Sequence, residues 1–87
     1  MKFYKCLVYL GDIKEKRVSE LINYFVSHAN IIHNVKVIGD WDFEPEFEVY
    51  SEEDFDKFLQ EMKDEFSDII SKVDTITISK EHKFVYF

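Results

Sequence analysis

The chain has 87 residues, with 18 acidic and 11 basic side chains and a formal net charge of -7. This length leaves room for a single hydrophobic core, so residues 1–87 are expected to form one domain. Nucleic acids are bound largely through Lys and Arg that neutralise phosphates, so the acidic balance argues against direct DNA or RNA binding by this segment. Nine Phe and five Tyr provide the large side chains that a small core needs.

The single cysteine and the N-terminal sequence bear on the compartment. Cys6 has no second cysteine with which to form an internal disulfide, which fits a reducing, cytoplasmic setting. The N-terminal residues contain no small-residue cleavage site and turn polar at Gly11, so no signal peptide is expected. The longest apolar run, residues 6–10, is far shorter than the ~20 residues that span a bilayer. We therefore expect no membrane segment.

The first strand and the first helix are marked by different apolar patterns. Residues 3–10 are rich in aromatic and β-branched side chains at both odd and even positions, so both faces of a strand would be apolar. This predicts a central strand that ends at Gly11. From Glu15 to His28, apolar residues recur at the spacing of an amphipathic helix. The stripe expected to face the core consists of Val18, Leu21, Ile22, Phe25 and Val26.

Two further strands follow, joined by a short turn. Residues 31–38 form an apolar run that Gly39 closes, and residues 43–50 alternate between apolar and acidic side chains. The short GDWD link between them predicts a hairpin. Pro45 conflicts with this third strand, because proline cannot donate to a strand ladder. We therefore expect either pairing that begins after Pro45 or a bulge at that residue.

A second helix and a last strand complete the pattern. Ser51 begins an acidic capping sequence that suits a helix N-terminus. The apolar stripe of this helix is expected to extend to Ile70, and residues 75–79 then alternate as a strand. The order βαββαβ with right-handed crossovers predicts an α+β, ferredoxin-like fold. Its four-stranded antiparallel sheet would have strands 1 and 3 at the centre and both helices on one face.

The segment from Gly39 to Glu44 has the most distinctive local pattern, and three interpretations of it are open. In a hairpin turn, Gly39 supplies a positive φ and the Asp side chains accept local backbone hydrogen bonds. In a ligand loop, Gly39 lets backbone approach a small molecule and an Asp accepts from its ammonium group. Asp40, Asp42 and Glu44 also resemble the first ligands of a calcium loop, but Pro45 stands where that loop needs glycine. The turn is favoured, and neither a metal nor a cofactor is predicted.

The reactive side chains match no familiar catalytic motif. Cys6 lies mid-strand with no pattern that pairs it to a histidine, so it is interpreted as a buried structural cysteine. The histidines, His28, His33 and His82, are spaced too irregularly for a zinc site. Arg17, the one arginine, lacks the glycine-rich anion loop that acyl-phosphate hydrolases of this topology require. We expect no enzymatic activity.

Two strands carry polar side chains at alternate positions. Glu44, Glu46 and Glu48 form one row, and Thr75, Thr77 and Ser79 form the other. An acidic row of this kind usually lies on a solvated sheet face. If both rows shared one face, that face would be too polar for a dry interface core, although a wet and specific interface would still be possible.

Taken together, these motifs resemble the C-terminal domain of the Lrp/AsnC (feast/famine) transcription regulators. IGDWDFE matches the glycine-x-aromatic-aspartate loop of that family, and FSDIISKVDTITISKEHKFVYF is similar to its archaeal members. The resemblance covers nearly the whole chain. It implies a βαββαβ domain that forms homodimers through its sheet, assembles further, and binds an amino-acid effector between subunits.

The resemblance also implies which residues form the effector site. By position in the motif they are Gly39, Asp40, Trp41, Asp42 and Thr75. Family members have an N-terminal helix-turn-helix that these 87 residues do not contain, which implies an isolated regulatory domain or a stand-alone effector module. Two alternatives stay open: a purely structural oligomerisation domain without a ligand, and a small hydrolase on the same topology.

Overall fold

The computed structural model describes residues 1–39 and 42–78. Within them the elements follow one another in the predicted order βαββαβ. The four strands are β1 (Lys2–Leu10), β2 (Ile32–Ile38), β3 (Asp42–Val49) and β4 (Ile70–Ile78). The two helices are α1 (Glu15–Ser27) and α2 (Glu52–Glu65).

The strands form one antiparallel sheet in the order β2-β3-β1-β4. β1 and β3 are therefore central, as predicted, and β2 and β4 lie at the edges. Both helices pack on the same face of the sheet. Phe25 of α1 contacts Phe43 of β3, with ring centroids 5.8 Å apart. Phe55 of α2 stacks on Tyr4 of β1 at 4.0 Å. The prediction of an α+β, ferredoxin-like fold is confirmed.

The core lies between this sheet face and the helices. Every second side chain of β3 is buried, because successive strand residues point to opposite faces. Phe47 of β3 contacts Phe55 and Phe58 of α2, with ring centroids 5.2 and 5.3 Å apart. Among the described residues, none of the buried side chains is charged. The stability of the fold therefore rests mainly on apolar and aromatic packing.

Pro45 lies inside β3 without displacing the strand. β1 and β3 keep a single register on both sides of Pro45, but the ladder between them has no pair at Pro45 or at Glu44. Since proline has no N–H, the sheet accepts a local gap instead of a shift. Phe43, which precedes the proline, already pairs with Val8 of β1, so the prediction that pairing begins after Pro45 is wrong. The register does not change at Pro45, so the prediction of a bulge there is also wrong. The irregularity in the β2–β3 ladder lies near the start of β2.

α2 is shorter than the sequence predicts. Its start is as expected, because the Ser51 side chain accepts a hydrogen bond from a backbone N–H in the first turn. The helix ends at Glu65, however, and the backbone then turns so that β4 begins at Ile70. Ile69 and Ile70 therefore belong to a turn and a strand. No glycine or proline marks this end in the sequence, and the pairing of β4 with β1 sets it.

α1 buries only part of the apolar stripe that was expected to face the core. Val18, Leu21 and Phe25 are buried, as predicted. Ile22 and Val26, in contrast, are 43% and 68% exposed. α1 therefore has an apolar side that extends beyond the sheet it covers. Neither helix in the described part of the chain is long and apolar enough to cross a membrane.

Arg17 ties α1 to the turn that follows α2. Its guanidinium donates to the Asp68 carboxylate at 3.0 and 3.1 Å, to Glu20 at 2.7 Å and to the Glu65 carbonyl at 2.6 Å. It also lies 4.7 Å from the centroid of the Phe66 ring. The hydrogen bond from Arg17 holds the pKa of Asp68 below its ordinary value. The one arginine of the chain thus has a structural role.

Tyr24 is expected to be replaceable by phenylalanine without loss of stability. Its hydroxyl is buried and has no hydrogen-bond partner among the described residues. An unpaired buried hydroxyl costs roughly 1–3 kcal/mol, so Tyr24→Phe should keep or increase the free energy of unfolding at pH 7. Urea denaturation followed by circular dichroism measures this change. A decrease of more than about 1 kcal/mol would instead reveal a partner for the hydroxyl.

The same variant should alter the alkaline limb of the stability profile. Burial raises the pKa of Tyr24 from 10.0 to about 12. The unfolded chain therefore ionises first, and the contribution of Tyr24 is present below pH 10 and lost as the pH rises towards 12. Wild-type stability should fall more steeply over this range than that of Tyr24→Phe. Tyr50→Phe changes a side chain that is 83% exposed and should leave the profile unchanged.

Candidate functional site

The turn between β2 and β3 contains the predicted ligand loop. Gly39 has a φ of 73°, in the left-handed region, which confirms the positive φ expected of it. Asp42 begins β3, and its carboxylate accepts a long hydrogen bond of 3.4 Å from the backbone N–H of Leu10. Gly39 and Asp42 thus lie at the end of the sheet where β1 finishes. The other two predicted loop residues, Asp40 and Trp41, lie outside the described residues.

The space beside Gly39 is not filled by other described residues. Apart from its chain neighbours, no described atom lies within 4 Å of the position that a Cβ would take at Gly39. A recess of about 310 Å³ lies at the opposite end of β3, and its lining includes Asn30, Glu48, Tyr50 and Asp54. The described residues of one chain therefore make no close contact on that side of Gly39. A ligand held at the turn would need a further wall, such as a second copy of the chain.

Thr75 lies on a different part of the sheet. It pairs with Cys6 in the β1–β4 ladder, and its hydroxyl oxygen is 3.9 Å from the Cys6 sulfur. Cross-strand partners share a face, so Thr75 is on the side of the helices. Asp42 precedes the buried Phe43 and points to the other side. The structure therefore does not bring Thr75 together with Gly39 and Asp42 within one chain.

Cys6 has the environment of a structural thiol. The residue is fully buried in β1, and burial raises the pKa of the thiol from 9.0 to about 11. Its side-chain partner is the Thr75 hydroxyl, a weak one for sulfur. A nucleophilic cysteine needs a lowered pKa and access to substrate. This environment therefore favours the structural interpretation of Cys6 over the hydrolase alternative.

The described histidines each have a separate partner. His28 lies at the C-terminal end of α1, with Nδ1 2.8 Å from the Tyr24 carbonyl oxygen. His33 of β2 lies 2.8 Å from the Glu48 carboxylate of β3. Within residues 1–39 and 42–78, no three His, Cys, Asp or Glu side chains gather closely enough to hold a metal ion. His82 is outside this part of the chain.

The sheet face turned away from the helices, called the open face below, has an acidic zone on β3. The zone consists of Asp42, Glu44, Glu46 and Glu48, which alternate with the buried residues of that strand. Lys5 of β1 contacts Glu44 at 2.8 Å across the zone. The acidic row predicted from the sequence therefore lies on one sheet face, as expected.

β1 and β4 add an apolar zone to the same open face. Its members are Phe3, Leu7, Tyr9, Ile76 and Ile78. Ile76 is 45% exposed, and the other four are half-buried. Thr75 and Thr77 pair with buried residues of β1 and face the helices, while Ser79 is not among the described residues. The two polar rows therefore do not share a face, and the open face is more apolar than the sequence suggested.

Comparison with known proteins identifies the fold. No family model and no curated protein matches the sequence. The crystal structure of PH0061 matches with a TM-score of 0.58 and 15% identity, over 90% of this chain and 53% of that chain. The solution structure of the C-terminal domain of the MgtC protein from Mycobacterium tuberculosis matches with a TM-score of 0.60 and 9% identity, over 92% and 90% of the two chains.

These neighbours share a ferredoxin-like fold with this chain. At identities of 15% and 9%, the likeness is one of fold alone. The chain also spans only about half the length of PH0061. Membership of the Lrp/AsnC family is therefore not established by these matches.

The apolar zone is the feature that the sequence pattern did not reveal. Apolar residues at both parities of β1 predicted a central strand buried on both faces. β1 is central, but both helices lie on one face of the sheet, so neither helix covers Leu7 and Tyr9 on the other face. The available signal was the number of helices: two short helices cover one face of a four-stranded sheet, so neither of them packs on the second face.

Proposed function

We propose that this chain is a regulatory domain of the Lrp/AsnC type, which forms a homodimer through the open face and binds a small effector at the turn between Gly39 and Asp42. The observation that carries the proposal is the group of apolar side chains Leu7, Tyr9 and Ile76 on the sheet face that neither helix covers. Exposed apolar strips of this kind favour burial against a protein partner. In this function the domain acts through contacts with copies of itself and with an effector, without chemistry on a substrate.

The charges of the open face suit a second copy of the same chain. Lys36 of β2 pairs with Glu44 in the ladder, and the Lys72 ammonium lies 5.3 Å from the centre of the Tyr9 ring. Basic and acidic side chains therefore alternate across the strands instead of forming a field of one sign. A copy rotated about a two-fold axis can set its lysines near the acidic zone of its partner. Mixed apolar and charged surfaces of this kind form specific interfaces with trapped water.

The turn has groups that suit a free amino acid. The Asp42 carboxylate can accept hydrogen bonds from the ammonium group of the effector. The effector carboxylate would be repelled by acidic side chains and would have to be bound by backbone N–H groups, which Gly39 leaves accessible. Because no described side chain of the same protomer contacts the space beside Gly39, the second copy in the homodimer would supply a wall there. Gly39 and Asp42 both belong to the site that the family resemblance implies, whereas Thr75 of that site lies on the other side of the sheet.

The homodimer is tested by measuring mass in solution. We expect the wild-type chain to form a dimer or a larger assembly of its 10.5 kDa protomers in sedimentation equilibrium. Leu7→Lys places a charge in the apolar zone, where Asp74 on the neighbouring strand can balance it within one protomer. We expect the fold to persist and the dissociation constant of the sheet-face contact to rise at least ~10-fold, equivalent to ~1.4 kcal/mol.

The matched control is Ser67→Lys, which adds the same charge at an exposed position after α2. It should leave the assembly unchanged. A wild-type chain that stays monomeric at millimolar concentration would refute the homodimer.

The effector is tested by thermal denaturation with each free amino acid. A ligand present at about 100 times its Kd stabilises the native state by ~2.7 kcal/mol, which gives a clear increase in Tm. Asp42→Asn should weaken this effect at least ~10-fold, since it removes the negative charge beside the ammonium group. Asp56→Asn, an exposed position on α2, should not. If no amino acid changes the Tm while the homodimer persists, the chain is a purely structural oligomerisation domain.

A further inference from the structure

The outer side of α1 is unlike the rest of the helix layer. Between residues 18 and 27, Glu20 is the one charged side chain of α1, and Arg17 engages it. The exposed side chains in this stretch are Ser19, Ile22, Asn23, Val26 and Ser27, all uncharged. α2, in contrast, has acidic or basic side chains at most of its exposed positions. Depletion of charge around exposed apolar residues is typical of the centre of a protein interface.

This side of α1 continues onto the edge of the sheet. Val37 of β2 is 56% exposed and lies on the same side as Val35, since their ladder partners Phe43 and Pro45 are buried. α1 and β2 enclose an apolar groove of about 160 Å³. Its lining consists of Ile22, Phe25, Val26, Val35, Val37 and Phe43. The groove runs beside an edge strand, whose outer backbone groups can pair with another strand.

We propose that a second copy of this chain docks here, with β2 paired antiparallel to β2 of the partner subunit and α1 packed against its α1. The two sheets would then form one continuous sheet of eight strands. This contact extends the proposed function, because it differs from the open face and would join two sheet-face dimers into a tetramer. The partner is a second copy because the edge is complementary to itself.

The complementarity follows from the residues of β2. With a two-fold axis at Val35, Asn34 lies opposite Lys36 of the partner subunit. No like charges then face each other, and the amide oxygen of Asn34 can accept from that lysine. Asn34 and Lys36 are also paired with Glu46 and Glu44 of their own β3, so each lysine lies near carboxylates. On the helix side, the same axis brings the two Val35 side chains together beneath the α1 pair.

The experiment combines one substitution at each contact and measures the mass by sedimentation equilibrium. Val26→Glu places two carboxylates near each other across the α1 contact, at a side chain exposed enough for the fold to tolerate it. We expect the wild type to be a tetramer, Val26→Glu a dimer, Leu7→Lys a dimer, and the double variant a monomer. Ser67→Glu adds the same charge outside both contacts and should leave the tetramer intact.

The outcomes separate the two contacts. If Val26→Glu leaves the mass and the dissociation constant of the wild type unchanged, the β2 contact is wrong, whatever Leu7→Lys does. If Val26→Glu yields monomers and Leu7→Lys has no effect, the β2 contact stands and the sheet-face dimer fails. Hydrogen exchange gives a second measurement. The β2 amides should be protected more strongly as wild-type concentration rises, and Val26→Glu should abolish that dependence.

Discussion

Replacing Phe47 by alanine is expected to cause a large loss of stability in this domain. The residue is 1% exposed and packs edge-on against Phe55 and Phe58. A Phe→Ala change in a core costs about 3–5 kcal/mol, because the lost contacts leave a cavity that neighbours fill only in part. A domain of this length has a total stability of roughly 4–13 kcal/mol. Urea denaturation followed by circular dichroism should show a free energy of unfolding about 3–5 kcal/mol below that of the wild type.

Two further variants make this result interpretable. Phe47→Leu keeps most of the side-chain volume and should cost roughly 1–2 kcal/mol, so it remains measurable if the alanine variant does not fold. Tyr50→Ala removes an aromatic ring from an exposed side chain and should cost less than about 0.5 kcal/mol. If Phe47→Ala lowers the free energy of unfolding by less than about 1 kcal/mol, Phe47 is not packed in the core as described.

Cys6 is expected to resist thiol reagents as long as the domain is folded. Burial raises its pKa from 9.0 to about 11, which by itself lowers the thiolate fraction near neutral pH about 100-fold. The side chain is also inaccessible, so modification requires opening of the sheet. At pH 8, the rate of reaction with a disulfide reagent should be at least ~1,000-fold lower in the native protein than in guanidinium chloride.

A surface thiol provides the reference for this measurement. The double variant Cys6→Ala, Ser67→Cys moves the one thiol to an exposed position after α2. It should react within minutes under native conditions. Rapid reaction of native Cys6 would mean an accessible, activated thiol, and would return the hydrolase alternative to consideration.

The strands and the helix starts could be predicted because their signals are local. The alternation of apolar and acidic residues in β3 reflects the two faces of one strand, and Ser51 caps α2 within a single turn. Gly39 adopts its expected positive φ because few other residues tolerate that conformation. The order of these elements then leaves few topologies, and the ferredoxin-like one is observed.

The end of α2 and the grouping of the site residues could not be predicted in this way. Ile69 and Ile70 continue the apolar spacing of α2, so the sequence pattern alone extends the helix through them. The pairing of Ile70 with Leu10, far away in sequence, ends the helix earlier. In the same way, Thr75 and Asp42 point to opposite faces because the register of each strand against β1 sets which of its residues face the helices. Such long-range pairs leave no local signature.

The sequence by itself determined the order of the strands and helices and an acidic composition with one arginine and one cysteine. These follow from local periodicity and from residue chemistry. Only the tertiary structure decided which apolar residues remain outside the core. Periodicity defines the apolar side of an element, but the layers packed against that side determine how much of it is buried. The arrangement of the helices therefore leaves Leu7 and Val26 more exposed than their buried neighbours.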